Sequence, residues 1–220
     1  MAEALFGRLI ASAPNLWDTY VGHEWMRAIH DGTLTRERFT FFLVQDMPYQ
    51  TDFQNALVLG AGKSPEPATW LRLRDFIVAE ADFEEELLAD LGADWSYDRW
   101  AASPTREGYM NHLTRVALES SPGLIAAALL PCAAGFTGAM ETPTDPDRDL
   151  DPLYRRWLDF YERPEQAEFS EALVGVFERA MAGASDAEVD EARMILQRSL
   201  YHQIAVFDAA WAVSDPWPAA

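Results

Sequence analysis

Residues Phe39 to Leu59 read FTFFLVQDMPYQTDFQNALVL, and the periodicity of this stretch sets the class of fold. As a helix it places Phe39, Phe42, Leu43, Phe53, Ala56 and Leu57 on one stripe, at the spacings of three and four that a 3.6-residue period requires. Asp46 and Tyr49 fall on the same stripe. A carboxylate amid an apolar face is costly to desolvate unless specific donors hold it around a cavity, and packing alone gives no reason for one. The stretch therefore points to a polar group held against Asp46. Pro48, between Asp46 and Tyr49, removes a backbone donor and predicts a kink that frees a carbonyl.

The helical period extends outward on both sides. Upstream, Glu3 to Ser12 reads as a short amphipathic helix closed by Ala13-Pro14, and Asn15 to about His30 as a second helix. Asp31-Gly32-Thr33-Leu34 makes the turn into the central helix, with Gly32 suited to a left-handed cap and Thr33 or Thr35 to an N-cap. That helix is expected to run to about Gly62, where Gly60, Gly62, Ser64 and Pro65 break it. Downstream, Glu66 to Leu91 keeps period through Trp70, Leu73, Phe76, Ile77, Phe83, Leu87, Leu88 and Leu91, and Gly92 closes it. The acidic run Asp82 to Glu86 reads as its solvated face.

Ala93 to Pro104 is loop or short helix, and helices follow over Thr105 to Glu119 and Pro122 to Met140. Glu141 to Leu150 is the most polar loop. Helices over Pro152 to Tyr161, Glu165 to Ala182 and Asp186 to about Val213 complete the chain. No run alternates as a strand does, no segment repeats and no linker separates domains. The expected architecture is an all-α helical bundle, one domain over residues 1–220.

Composition narrows the function. With 220 residues, 49% of them hydrophobic, the chain can bury a full core. Its 36 acidic against 17 basic residues give a formal net charge of -19, which repels phosphate backbones and anionic lipid. Nucleic acid and membrane surfaces are disfavoured as partners, and a DNA-binding regulator would lack the basic stripe it needs. One cysteine, Cys132, permits no disulfide within the chain and suits a reducing cytosol. No apolar run is read as approaching a membrane span of roughly 18 to 20 residues, and Met1 to Ala13 has no signal-peptide pattern, so a cytoplasmic location is expected.

The candidate chemistry lies on the helices. Ile125, Ala128, Leu129, Cys132 and Phe136 share a stripe, so Cys132 points inward. It reads either as a small buried hydrophobe or as a nucleophile whose proton a nearby carboxylate takes. Tyr154, Trp157 and Tyr161 form an aromatic stripe, and Tyr109 shares a turn with His112. Such residues are ordinarily core, but several tyrosines converging on an Asp would build a flat slot for a heteroaromatic ring. None of His23, His30, His112 and His202 has the carboxylate spacing of a helical metal site, and neither Glu80 nor Glu84 is followed by a histidine at three or four, so no metal is expected. Phosphate-binding glycine loops, a Gly-x-Ser-x-Gly elbow and paired-cysteine motifs are also missing.

Trp17, His23, Asp31-Gly32-Thr33-Leu34, Phe39, Gln45-Asp46 followed by Tyr49, Phe53, the Tyr109 segment, Leu130-Pro131-Cys132, and Tyr154 with Trp157 and Tyr161 stand in a characteristic order. Their order and spacing resemble the TenA (thiaminase II) family over roughly Asn15 to Trp211. The resemblance implies a heme-oxygenase-like fold, a pyrimidine pocket, and hydrolytic carbon–nitrogen cleavage in thiamin salvage without a cofactor. It assigns Asp46 to hold and help protonate an aminopyrimidine ring and Cys132 to add to a ring carbon. An amine or thiazolium then leaves from the attached methylene. Tyr49, Tyr109 and Tyr161, with Phe42 beside them, match positions that stack on the ring or bond near the nucleophile. The resemblance also implies a homotetramer.

The chain departs from that family in its last helix, where the family carries a Glu one residue after a Tyr. One alignment puts Gln203 at the Glu position and another puts His202 there; no glutamate follows Glu191. Gln203 can bond to an exocyclic amine and a ring nitrogen but carries no proton, whereas His202 titrates near neutrality. Two readings follow: an aminopyrimidine or related heteroaromatic aminohydrolase with Cys132, Asp46 and His202 or Gln203 in its chemistry, or a non-catalytic protein that binds a small aromatic ligand.

Overall fold

Proline and glycine set most of the helix ends. The computed structural model describes residues 4–141, 144, 145 and 147–218, and these form ten α-helices and one 3-10 turn, with no strand among them. The helices are α1 Leu5–Ala11, α2 Pro14–Val21, α3 Glu24–His30, α4 Arg36–Lys63 and α5 Pro67–Leu91, followed by the turn η1 Arg99–Ala101. Then come α6 Pro104–Glu119, α7 Pro122–Ala139, α8 Pro152–Glu162, α9 Pro164–Ala180 and α10 Asp186–Ala212. The expected start of the first helix at Glu3, and part of the polar loop Glu141 to Leu150, lie outside the described residues.

Proline opens α2, α5, α6, α7, α8 and α9, where its missing N–H would have had no partner in any case. Gly92 ends α5 at φ +64°, a conformation that costs a residue with a Cβ. Ser185 opens α10 with a reciprocal capping box to Glu188.

The fold departs from the sequence-based expectation at three places. The helix read over Asn15 to His30 is two helices, broken at Gly22-His23; the His23 ring accepts from the Trp25 N–H at 3.1 Å and caps α3. Gly60 does not end α4. A Cβ there would lie 2.3 Å from the Trp70 ring, so this glycine serves the close approach of α5 to α4. Finally, α7 is in fact an 18-residue apolar segment with mean hydropathy 1.5, long and apolar enough to cross a membrane, although 72% of it is buried inside the fold. A helix apolar on every side belongs at the centre of a bundle, where each face meets another helix.

That is where α7 lies. It packs against α2, α4, α6, α8, α9 and α10, while α4 packs against α5, α6, α7 and α10. Between them stands an aromatic layer in which Phe42 stacks parallel to Phe207 at 5.2 Å and meets Trp25 at 4.7 Å, with Phe136 and Trp157 at 5.9 Å closing one side. Each such ring taken out of water contributes roughly 1.5–3 kcal/mol. Tyr154 is part of this core, its hydroxyl donating to the Leu34 carbonyl at 2.9 Å. The layer floors a cavity between α4 and α7, and both helices carry an interior proline there, Pro48 and Pro131.

Candidate active site

From α4 come Phe42, Asp46, Tyr49, Gln50 and Phe53, successive members of one buried stripe. Facing them are Ile77 and Glu80 of α5, Arg106 of α6, Cys132 and Phe136 of α7, Tyr161 of α8 and Gln203 of α10. The cavity is narrow, with about 10 Å³ of free space at its centre, room for roughly one water molecule. A ring-sized occupant requires wall side chains to rotate.

Asp46 is held at both oxygens. Arg106 Nη1 donates to Oδ1 at 2.8 Å, and Gln50 Nε2 donates to Oδ2 at 2.9 Å. Both ends of the ion pair are buried, and burial pushes the Asp46 carboxyl up from its ordinary value while the Arg106 charge pulls it back. The guanidinium also lies 4.8 Å over the Tyr49 ring, and its Nε and Nη2 are buried without a hydrogen-bond partner. The Tyr49 hydroxyl is likewise buried and unpaired.

A second acidic pair stands on α5. The Tyr161 hydroxyl donates to Glu80 Oε1 at 2.5 Å and lies 3.4 Å from Glu84 Oε1, while Gln50 Nε2 reaches Glu84 Oε2 at 3.4 Å. Burial, with the charges of Asp46 and Glu80, raises the Glu84 carboxyl well above the usual range. For Glu80 burial and the Asp46 charge outweigh the Tyr161 bond, and its carboxyl is pushed up to about 7. Carboxylates this close cannot all ionise, so the group retains a proton at neutral pH. Asp46, Glu80 and Glu84 do not make a metal centre: among the described residues no three His, Cys, Asp or Glu side chains are placed to hold an ion.

Cys132 is half-buried and lines the cavity. Burial, then the Glu80 charge, push its thiol well up, so the sulfur keeps its proton until a base removes it.

Asp46, Cys132, Gln203, Tyr49, Tyr161 and Phe42 of the expected site residues thus share one cavity. Tyr109 stands behind it, stacked on Tyr49 at 5.1 Å and accepting from Gln203 Nε2 at 3.3 Å. His202 does not line it. Its ring stacks on Tyr109 at 5.3 Å and burial lowers its pKa, because neighbouring positions on α10 point about 100° apart and Gln203 takes the inward one. The acidic run at Asp82 to Glu86 is also corrected: Asp82 and Glu86 are exposed, but Glu84 is fully buried.

Gln50, Glu80, Glu84 and Arg106 were not among the expected site residues. Their signal was nevertheless present. Glu80 and Glu84 continue the stripe Leu73, Ile77, Leu87, and Arg106 continues Tyr109, Leu113, Val116, at the same spacing that singles out Asp46.

The fold is the heme-oxygenase-like bundle, matching a domain of unknown function with that fold from Shewanella denitrificans OS217 at TM-score 0.70, over 97% of this chain and 98% of that one, with 12% identity. The TenA homologue from P. horikoshii OT3 superposes at TM-score 0.84, over 96% of this chain and all of that one (100%), with 22% identity. The profile of the TENA/THI-4/PQQC family matches residues 10–212, and the chain belongs to that family. Relatives include the aminopyrimidine aminohydrolase of Bacillus subtilis, 29% identical over 160 residues that make up 69% of this chain and 66% of that enzyme. The thiamine biosynthesis protein THI22 of Saccharomyces cerevisiae is 28% identical over 152 residues, 65% of this chain; the match spans only 26% of the yeast protein's length.

Proposed function

We propose that this chain is a TenA-type hydrolase that cleaves a carbon–nitrogen bond on a small heteroaromatic amine of the aminopyrimidine class, in thiamin salvage. One observation carries the reading: Asp46 and Cys132, from helices far apart in sequence, line the same cavity. Membership of a family with aminopyrimidine aminohydrolases supports it.

In this reading the ring lies between the Tyr49 and Phe136 walls, its protonated nitrogen donates to Asp46, and its exocyclic amine donates to the Gln203 carbonyl. Arg106 bonds one Asp46 oxygen and Gln50 the other, and the carboxylate keeps lone-pair capacity for the ligand. Protonation makes the ring an electron sink. Cys132 Sγ adds to a ring carbon, the amine departs from the attached methylene, water adds to that methylene, and expulsion of the sulfur restores the ring. Splitting the displacement in two avoids direct attack of water on an unactivated carbon.

The test is release of ammonia and of a hydroxymethyl product from a 4-amino-5-(aminomethyl)pyrimidine, with Cys132→Ser as the control. Turnover lost in the variant by roughly a thousand-fold or more is the expected result. Equal turnover in Cys132→Ser removes the nucleophile.

A second reading, a binding protein without turnover, draws on the narrow cavity and the well-protonated thiol. Calorimetric binding of the same compound with no ammonia released would establish it. A cytosolic homotetramer belongs to the first reading, and exposed apolar side chains such as Leu118 and Tyr201 offer surface for it. Light scattering of the purified chain reads its assembly directly.

A further inference from the structure

The proposed hydrolysis moves protons at three points: off Cys132, onto the departing amine, and off the incoming water. At the cavity α10 contributes only Gln203, and an amide carries none of them. His202 faces away onto Tyr109. Asp46, fixed by Arg106 and Gln50, is in that reading committed to the protonated ring nitrogen. Glu84 is fully buried behind the wall. Glu80 remains: it lines the cavity with Cys132, and the Tyr161 hydroxyl orients its Oε1 at 2.5 Å.

Resting on the hydrolase reading above, we propose that Glu80 of α5 is the proton carrier of the Cys132 chemistry, supplying from another helix the carboxylate that α10 lacks. The Glu80 carboxylate takes the Sγ–H proton as the S–C bond forms and the ring electron pair moves to the protonated-nitrogen side. That pair returns to expel the amine, whose lone pair takes the proton from Glu80. Water then forms the C–O bond and gives a proton to Glu80; the departing sulfur recovers it as the S–C bond breaks. The sum is one C–N bond exchanged for C–O, with water consumed, ammonia released and the protein restored.

The surroundings suit a carboxyl that must both accept and donate. Burial of the site and the Asp46 charge from α4 favour its protonated form, as does repulsion with Glu84 of α5, while Tyr161 from α8, Arg163 at the start of α9 and Gln50 from α4 favour the charged one. Cys132 of α7 is the titratable group it serves.

The experiment is kcat and KM against pH for ammonia release from the 4-amino-5-(aminomethyl)pyrimidine. Glu80→Gln is expected to lower kcat on the order of a hundred-fold to ten-thousand-fold, leave KM within a few fold, and abolish the rate inflection near pH 7. Adding Gln203→Glu to Glu80→Gln is expected to recover much of the lost kcat, which a merely structural role for Glu80 would not produce. Wild-type kcat in Glu80→Gln, or a reduced kcat with the inflection intact, overturns the assignment while the hydrolase reading stands. If Glu80→Gln does not fold, Glu80→Asp carries the test: an unchanged kcat and inflection overturn the assignment, and a lowered kcat with a displaced inflection supports it. No ammonia from the wild-type chain overturns the hydrolase reading and this proposal together.

Discussion

The Tyr161 hydroxyl donates to the Glu80 carboxylate at 2.5 Å, and so ties α8 to α5 across the wall of the cavity that Cys132 lines. This bond favours the charged form of Glu80 and holds its pKa below where burial would take it. Tyr161→Phe therefore raises the Glu80 pKa. The acid limb of the pH–rate profile moves to higher pH, and the buried acceptor left unpaired lowers stability by about 1–3 kcal/mol. Rate profiles and urea melts of the two proteins check both effects.

Arg106 and Asp46 form a buried ion pair at 2.8 Å. Removing one partner leaves the other charge unpaired, which typically costs about 3–5 kcal/mol. Arg106→Met is expected to lose that much in chemical denaturation, and Asp46→Asn added to it to restore a large part. A loss in the double variant equal to the sum of the Arg106→Met and Asp46→Asn losses would show that the pair is not coupled.

The contribution of Glu80 to stability falls as the medium becomes less acid. The folded-state pKa of Glu80 lies above its ordinary value of 4.5, at about 7, so the folded state binds its proton more tightly than the unfolded state. The stability linked to that proton is complete below pH 4.5 and is lost as pH rises through about 7. Glu80→Gln flattens this part of the curve. Denaturation midpoints at several pH values, wild type against variant, measure it.

Gln203 lines the cavity and His202 does not. Gln203→Leu is expected to raise KM by removing a ring contact, whereas His202→Phe keeps the stack on Tyr109 and leaves KM and kcat near wild type. Steady-state kinetics separate the two, and a larger loss in His202→Phe would reverse the placement.

At Gly60 a Cβ would lie 2.3 Å from the Trp70 ring, which is itself fully buried. Gly60→Ala forces α4 and α5 apart and is expected to cost roughly 1–3 kcal/mol or more by thermal denaturation.

Local chemistry made much of the bundle legible. A proline at a first turn or a glycine just past a last one acts on its own backbone, so the ends of α5, α6, α7 and α9 were readable to within a few residues. The split between α2 and α3 was not, because apolar period runs straight through it and only the His23 ring, capping Trp25, reveals the break. The membrane-length run in α7 is hard to see in the sequence because Pro131 and the glycines of α7 interrupt it without ending the helix.

The same division runs through the site. Asp46 was conspicuous as a lone charge on an apolar stripe, whereas Glu80 and Glu84 occupy an equivalent stripe within or beside an acidic run that disguises them. Periodicity placed polar groups on the inward faces of α4, α5, α6 and α7, since the 3.6-residue repeat is a property of the chain alone. Which of those groups meet was settled by the packing of α4 against α5, α6, α7 and α10, through contacts between residues dozens of positions apart that no local pattern encodes. That packing turned Gln203 inward and His202 away, and it set two carboxylates of α5 against Asp46, so that their pKa values depend on burial and on each other's charge rather than on sequence neighbours.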